Sequence, residues 1–237
     1  MCQKSVNPPE FQYILENYRQ ICYNVGNAAA KYGSGSVKIM AVTKTVPPEK
    51  VNYAVSLGID LLGENRVQEY LSKKDSYDKS ARVHMIGHLQ TNKVKYVINN
   101  VDMIQSVDSV KLANEINRLA EKNKKTMDIL IEVNIGGEES KSGVPADRVY
   151  SLIEEISAMK SISVKGLMAV PPIGSGDEAF DKMNLLFQGV KEKRFPGVSM
   201  DILSMGMSGD YETAIKHGSN LVRIGTKLFG ARKYLEV

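Results

Sequence analysis

Cysteine is scarce: only Cys2 and Cys22 occur in the 237-residue sequence, both near its N-terminus. A disulfide framework or a four-cysteine metal site would need more thiols, so the expected setting is the reducing cytoplasm. Runs of about 18 apolar residues are also missing, which leaves no membrane-spanning candidate. The first twenty residues carry Glu10, Glu16 and Arg19 and no apolar signal core. There is no long basic block. The net charge of +4 is spread along the chain, and Lys73-Lys74 and Lys122 to Lys125 read as solvated helix ends rather than a nucleic-acid footprint. Linkers, low-complexity segments and internal repeats are absent too, and the expectation is one domain over 1–237.

The composition is 43% apolar, enough for one sizeable core. Pro8 to Lys31 reads as a helix, with Phe11, Ile14, Leu15, Tyr18, Ile21 and Cys22 at helical spacing, and Tyr32-Gly33-Ser34-Gly35-Ser36 ends it. Short apolar runs then alternate with amphipathic ones. Strands are expected at 37–43, 60–63, 83–87, 102–107, 127–133, 162–170, 200–205 and 220–225. Helices are expected near 48–57, 65–74, 91–98, 109–123, 147–159, 178–193 and 210–217, with a short tail from 226. Ile129-Leu130-Ile131-Glu132-Val133 is apolar almost throughout, as a strand buried on both faces should be. Eight βα units in about 250 residues imply a single (β/α)8 TIM barrel with an extra N-terminal helix. An open doubly wound sheet is the alternative. It would usually place a glycine-rich phosphate turn after its first strand, where this chain has Lys44-Thr45-Val46-Pro47-Pro48.

In such barrels the functional residues lie at the C-terminal strand ends. The first strand ends in Lys44, the second in Gly63-Glu64-Asn65-Arg66, and the third leads through Ile86-Gly87 to His88. The seventh and eighth lead to Ser204-Met205-Gly206-Met207-Ser208-Gly209-Asp210 and Arg223-Ile224-Gly225-Thr226. Loops after the last two strands form the recurrent phosphate site of this fold, and Ser208 and Thr226 supply hydroxyls there. Helix capping uses the same free N–H groups, so capping and phosphate binding read alike. A lysine facing a phosphate cup points to a phosphorylated aldehyde held as a Schiff base. A sugar phosphate in a lysine-dependent aldolase and pyridoxal phosphate both satisfy that chemistry. An aldolase would also need an acid/base partner, for which Glu64 and Glu132 are available.

Ala41-Val42-Thr43-Lys44-Thr45, Gly63-Glu64-Asn65-Arg66-Val67-Gln68-Glu69, His84-Met85-Ile86-Gly87-His88-Leu89-Gln90, Lys141-Ser142-Gly143, Leu203-Ser204-Met205-Gly206-Met207-Ser208 and Arg223-Ile224-Gly225-Thr226 together resemble the pyridoxal phosphate homeostasis protein family. That family shares its barrel with the N-terminal domain of alanine racemase, among the fold-type III pyridoxal phosphate proteins. The resemblance runs from about Val37 to Arg232. It implies pyridoxal 5'-phosphate held covalently on Lys44 as an internal aldimine. It places Asn65 beside the ring, Ser208, Gly225 and Thr226 on the phosphate, Arg223 at the pyridine nitrogen, and His88 and Met205 near the pocket. It implies no catalytic residue and no metal. Two positions depart from the family pattern: Val83 stands where an aromatic residue is expected, and Lys227 where a small one is.

An arginine only donates, so a pyridine nitrogen facing it stays unprotonated and is a poor electron sink. Alanine racemases add a second base from a separate β-domain, and this chain, ending at Val237, is expected to lack one. The implied function is a cofactor carrier or buffer affecting amino-acid and keto-acid balance; its expected setting is the cytoplasm, and with no apolar stripe marking an interface in the sequence a monomer is the default. Apo pyridoxal phosphate enzymes are its possible recipients, with no nucleic-acid or membrane partner. A racemase acting from the barrel alone is the enzymatic alternative.

Overall fold

Alternation of buried strands and amphipathic helices produces a closed parallel barrel in the computed structural model, which describes residues 9–138, 141–172 and 174–231. The strands are β1 (Lys38–Val42), β2 (Leu61–Glu64), β3 (Arg82–Met85), β4 (Met103–Val107) and β5 (Met127–Asn134). They continue with β6 (Val144–Pro145), β7 (Ile162–Ala169), β8 (Val198–Ser204) and β9 (Leu221–Ile224). Among the described residues they form one parallel sheet ordered β4-β3-β2-β1-β9-β8-β7-β5-β6, and β4 also pairs with β5. That last pairing closes eight strands into a ring, with the two-residue β6 appended to the end of β5. The fold class is therefore the expected (β/α)8 barrel. The expected strands appear within a few residues of their observed ends, and β6 is the addition.

Helices α2 (Pro48–Ser56), α3 (Val67–Lys73), α4 (Val94–Val97) and α5 (Val110–Lys122) cover the first half of the ring. Helices α6 (Val149–Ile156), α7 (Gly176–Lys193), α8 (Tyr211–Lys216) and α9 (Thr226–Phe229) cover the second. The α4 stretch is shorter than its sequence pattern because Thr91–Lys93 winds as a 3-10 turn. The extra helix α1 (Gln12–Tyr32) buries Ile14, Ile21, Val25 and Ala28 and packs on α8 and α9. Gly33, left-handed at φ 68°, ends it by donating its N–H to Ala29 O. The expected start of this helix at Pro8 lies outside the described residues.

Side chains alternate across each strand, so each strand feeds two cores. The inward set packs as Met40, Leu61 and Leu221 against Ile86 and Ile202, and as Met103, Leu130 and Met168 against Ile202. Ala41, Leu62, Ile104, Ile129, Ile131, Val222 and Ile224 point outward into the layer shared with the helices. This double burial is why the strands are nearly continuous apolar runs.

The ring is not perfectly regular. Pairing of β7 with β5 and with β8 skips Lys165, a bulge that ends in Gly166. Gly166 has φ +149°, and a Cβ there would sit 1.9 Å from Ile202 O. Backbone on the adjacent strand cannot retreat as a side chain would. Gly166→Ala is therefore expected to destabilise the fold by about 3 kcal/mol or more, read from the midpoint of urea unfolding. A midpoint equal to that of the parent would show that the bulge has room the backbone geometry denies.

Candidate functional site

Strand phase decides which side chains reach the C-terminal mouth. On β1, Met40 points inward, so Val42 and Lys44 follow in the same phase while Thr43 turns outward. Thr43 is buried, and its hydroxyl donates to Glu64 Oε1 at 2.7 Å in the layer between barrel and helices. On β9, Leu221 is inward, which brings Arg223 and Gly225 into phase. The β1–β9 register pairs Met40 with Arg223 and Ala41 with Ile224, placing Lys44 beside the turn into α9. The β1–β2 register pairs Val42 with Gly63, and Asn65 follows Gly63 on the inner face.

A cavity of about 380 Å³ opens at this junction, lined by Val42, Lys44, Thr45, Val46, Pro47, Lys50, Gly225, Thr226 and Phe229 among others. It lies within the range of small-ligand pockets, roughly 300–1,000 Å³. Lys44, Gly225 and Thr226 are thus brought together. Ser208 lies next to them: its hydroxyl accepts from Lys227 N–H at 3.2 Å, joining the loops after β8 and β9. The Lys227 side chain lies over the Tyr211 ring, its Nζ 4.9 Å from the ring centroid. Asn65 carries a buried Oδ1 that accepts no hydrogen bond from the described protein atoms.

Two of the expected residues do not line this cavity. His88 is exposed, with Nδ1 3.6 Å from Asp108 Oδ2. Met205 is fully buried in the main core, one step out of phase with inward-facing Ser204.

Arg223 is 3% exposed, and its contacts fix the guanidinium. Nη1 donates to Ser204 O and Ser204 Oγ, both at 2.7 Å, and Nη2 donates to Ala169 O at 2.7 Å. Ser204 Oγ donates onward to Gln105 Oε1 at 2.8 Å, and Gln105 Nε2 lies 2.9 Å from His84 Nδ1. Because the amide oxygen already accepts from Ser204, its NH2 faces the ring, and His84 Nδ1 must accept as a neutral imidazole. Burial, with Arg82 and Lys38 nearby, lowers the His84 pKa to about 3, in agreement with a neutral ring. The result is a buried chain of hydrogen bonds from β9 through β8 and β4 to β3. Gln105 carried no motif, and only its in-phase position across the barrel reveals it.

Glu132 is a further buried ionisable group, in phase with inward-facing Leu130. It is 8% exposed, and its Oε2 has no partner among the described protein atoms. Burial, reinforced by Asp108, pushes its carboxyl up to about 7 against the opposing pull of Arg223. Burial in turn lowers Arg223 to about 10, opposed by Glu132 and Asp210, so the guanidinium stays charged at neutral pH. An amine, hydroxyls on two joined loops and a buried cationic donor at one mouth can hold a phosphorylated carbonyl compound.

Over residues 17–233 the chain matches the family described as alanine racemase, N-terminal domain. The pyridoxal phosphate homeostasis protein of Aquifex aeolicus (strain VF5) is 41% identical over 227 residues, covering 93% of this chain and 96% of that protein. A crystal structure of a protein from Bifidobacterium adolescentis is similar with a TM-score of 0.87 at 29% identity, covering 96% and 98% of the two chains. The structure of PipY from Synechococcus elongatus PCC7942 with PLP bound gives a TM-score of 0.76 at 27% identity, covering 87% of this chain and 100% of that one.

Glu132 yields a pH test. Between the ordinary carboxylate range near about 4.3 and its raised value, the folded chain keeps a proton that the unfolded chain releases. Stability therefore falls as pH rises through that window. Glu132→Gln lacks this titration, so its stability relative to the parent should improve by on the order of 2 kcal/mol between about pH 5 and pH 8. Parallel denaturation curves across that range for the two proteins would remove the shift from Glu132.

Proposed function

We propose that this chain, which belongs to the pyridoxal phosphate homeostasis protein family on the alanine racemase N-terminal-domain fold, binds pyridoxal 5'-phosphate and works as a cofactor carrier or buffer rather than as an enzyme. The observation that carries the reading is the cavity lined at once by Lys44 just past the first barrel strand and by Gly225 and Thr226 after the last. When bound, the cofactor would supply an aldehyde carbon, and Lys44 would be the amine that holds it. Ser208 and Thr226 offer hydroxyls to phosphate oxygens, and Gly225 keeps the backbone there free of a side chain. The residues present fit the group, because the buried Asn65 Oδ1 is an acceptor that the described protein atoms leave unused.

Arg223 supports carriage over turnover. Its charge persists, and its three hydrogen bonds to Ser204 and Ala169 leave further N–H donors available. A pyridine nitrogen held by such a donor accepts and stays unprotonated, which weakens the ring as an electron sink. His88 and Met205 take no direct part in this reading; His88 is directed at Asp108 and Met205 supports β8 from behind.

The carrier works in the cytoplasm as a monomer, with apo pyridoxal phosphate enzymes as recipients. Among the described residues no helix is long and apolar enough to cross a membrane, and no group of His, Cys, Asp and Glu is arranged to hold a metal.

Lys44→Ala tests the attachment. After incubation with pyridoxal phosphate and borohydride reduction, the parent should carry the added mass on the peptide containing Lys44, and the folded variant should carry none. Mass retained by the variant would move the attachment to another lysine. The carrier reading has its own check in alanine racemisation by the loaded parent. Turnover is expected well below about 1 per second, and ordinary enzymatic rates would replace the carrier with a racemase.

A further inference from the structure

We propose that the Glu69–Lys73 ion pair of α3 is a clamp that positions Lys44 by gripping the backbone on both sides of it; this rests on the reading of Lys44 as the attachment point. Lys73 Nζ donates to Thr43 O at 3.1 Å, immediately before Lys44. Thr45 N–H, immediately after it, donates to Glu69 Oε1 at 2.5 Å. The same carboxylate oxygen pairs with Lys73 Nζ, so one i,i+4 pair on the neighbouring βα unit holds the carbonyl and the amide that flank Lys44. The side chain of Thr43 is tied as well, through Glu64 Oε1, which also accepts from Tyr77 OH at 2.5 Å.

The turn needs this support. Thr45 has φ +63°, a left-handed conformation that is a genuine outlier for a β-branched residue. Such strain persists where the surroundings over-determine the backbone, and it concentrates at functional positions. Here it bends the chain off β1 directly after Lys44. Without the clamp, Thr45 relaxes to negative φ and redirects Lys44 away from the cavity shared with Gly225 and Thr226.

The pair is built differently from the surface pairs of this protein. Its side chains are 13% and 19% exposed, against 60% and 75% for Lys182 and Glu178, which also stand at i,i+4. Screening by water is correspondingly weaker. Burial raises the Glu69 carboxyl, yet the hydrogen bonds from Lys73 and Thr45 overcome it and hold the group below its ordinary range. The Glu69 carboxylate is therefore ionised at neutral pH.

The test separates positioning of Lys44 from general binding. Lys73→Met keeps the side-chain stem and removes the donor to Thr43 O. Covalent attachment of pyridoxal phosphate, trapped by borohydride over time and located by peptide mass, should slow at least about tenfold, as loss of a charge-assisted hydrogen bond implies. Affinity for pyridoxamine 5'-phosphate, which has no aldehyde to attach, should stay within about twofold of the parent. Adding Thr45→Gly to Lys73→Met should restore most of the attachment rate, because glycine adopts the positive φ without support. Glu69→Gln provides the same comparison if Lys73→Met does not fold. Attachment at the parental rate in these variants, or equal losses of attachment and pyridoxamine phosphate binding, would overturn the clamp. If the parent itself carries no mass on Lys44, the attachment reading fails and the clamp falls with it; if the parent is labelled and the variants match it, only the clamp falls.

Discussion

Pairing of the first barrel strand with the last, from Lys38 opposite Leu221 to Ala41 opposite Ile224, is the constraint on which the mouth of this barrel depends. Lys44 and Thr226 come from opposite ends of the sequence, and they share a cavity because that seam is closed in one register. A slip by one residue would turn Lys44 into the helix layer and Thr43 into the mouth, since side chains alternate along the strand. The extra helix α1 spans the same region of the fold. Asn17 Nδ2 donates to Leu228 O at 3.0 Å and Asn24 Nδ2 to Tyr211 OH at 2.9 Å, tying the N-terminal helix to α9 and α8. Lys227, packed over Tyr211, adds a cation–π contact to the same corner.

Inside the ring, Met40, Leu61 and Leu221 form an apolar layer, and a polar chain crosses the interior from Arg223 to His84. Buried polar groups are costly unless paired, so each member depends on the next. The chain has a direction: the arginine can only donate, and the neutral imidazole receives at Nδ1. Arg223 is consequently held in one plane before any ligand arrives, anchored to the carbonyls of Ala169 and Ser204 at the ends of β7 and β8. A preorganised donor costs little reorganisation when it meets an acceptor. Glu132, whose carboxyl is raised to about 7, partly offsets this buried positive charge as pH rises.

The sequence by itself determined the alternation of strands and helices, hence the barrel, and the positions of the loops that end each strand. It put Lys44 just past β1 and Ser208, Gly225 and Thr226 after the last two strands, because apolar runs, glycines and helix starts are local signals read within a few residues. The eight expected barrel strands could be found this way; the two-residue β6 could not, since a single pair of bridges leaves no periodic trace. The strained turn at Thr45 was equally illegible, as nothing in Thr43-Lys44-Thr45 announces a positive φ.

Only the tertiary structure decided which of the neighbouring residues face the mouth. Ser204 and Met205 are adjacent in the sequence, yet one hydrogen-bonds Arg223 in the interior and the other is packed in the helix layer. His88 follows its strand into a loop and turns toward Asp108 from the next unit. Gln105 meets Ser204, and Lys73 meets Thr43 O, through pairings between different βα units. Local periodicity specifies that a segment has an inner and an outer face. Which atoms meet across those faces depends on ring closure, on bulges such as that at Gly166 and on the register between strands, and these are set by contacts between residues distant in the sequence.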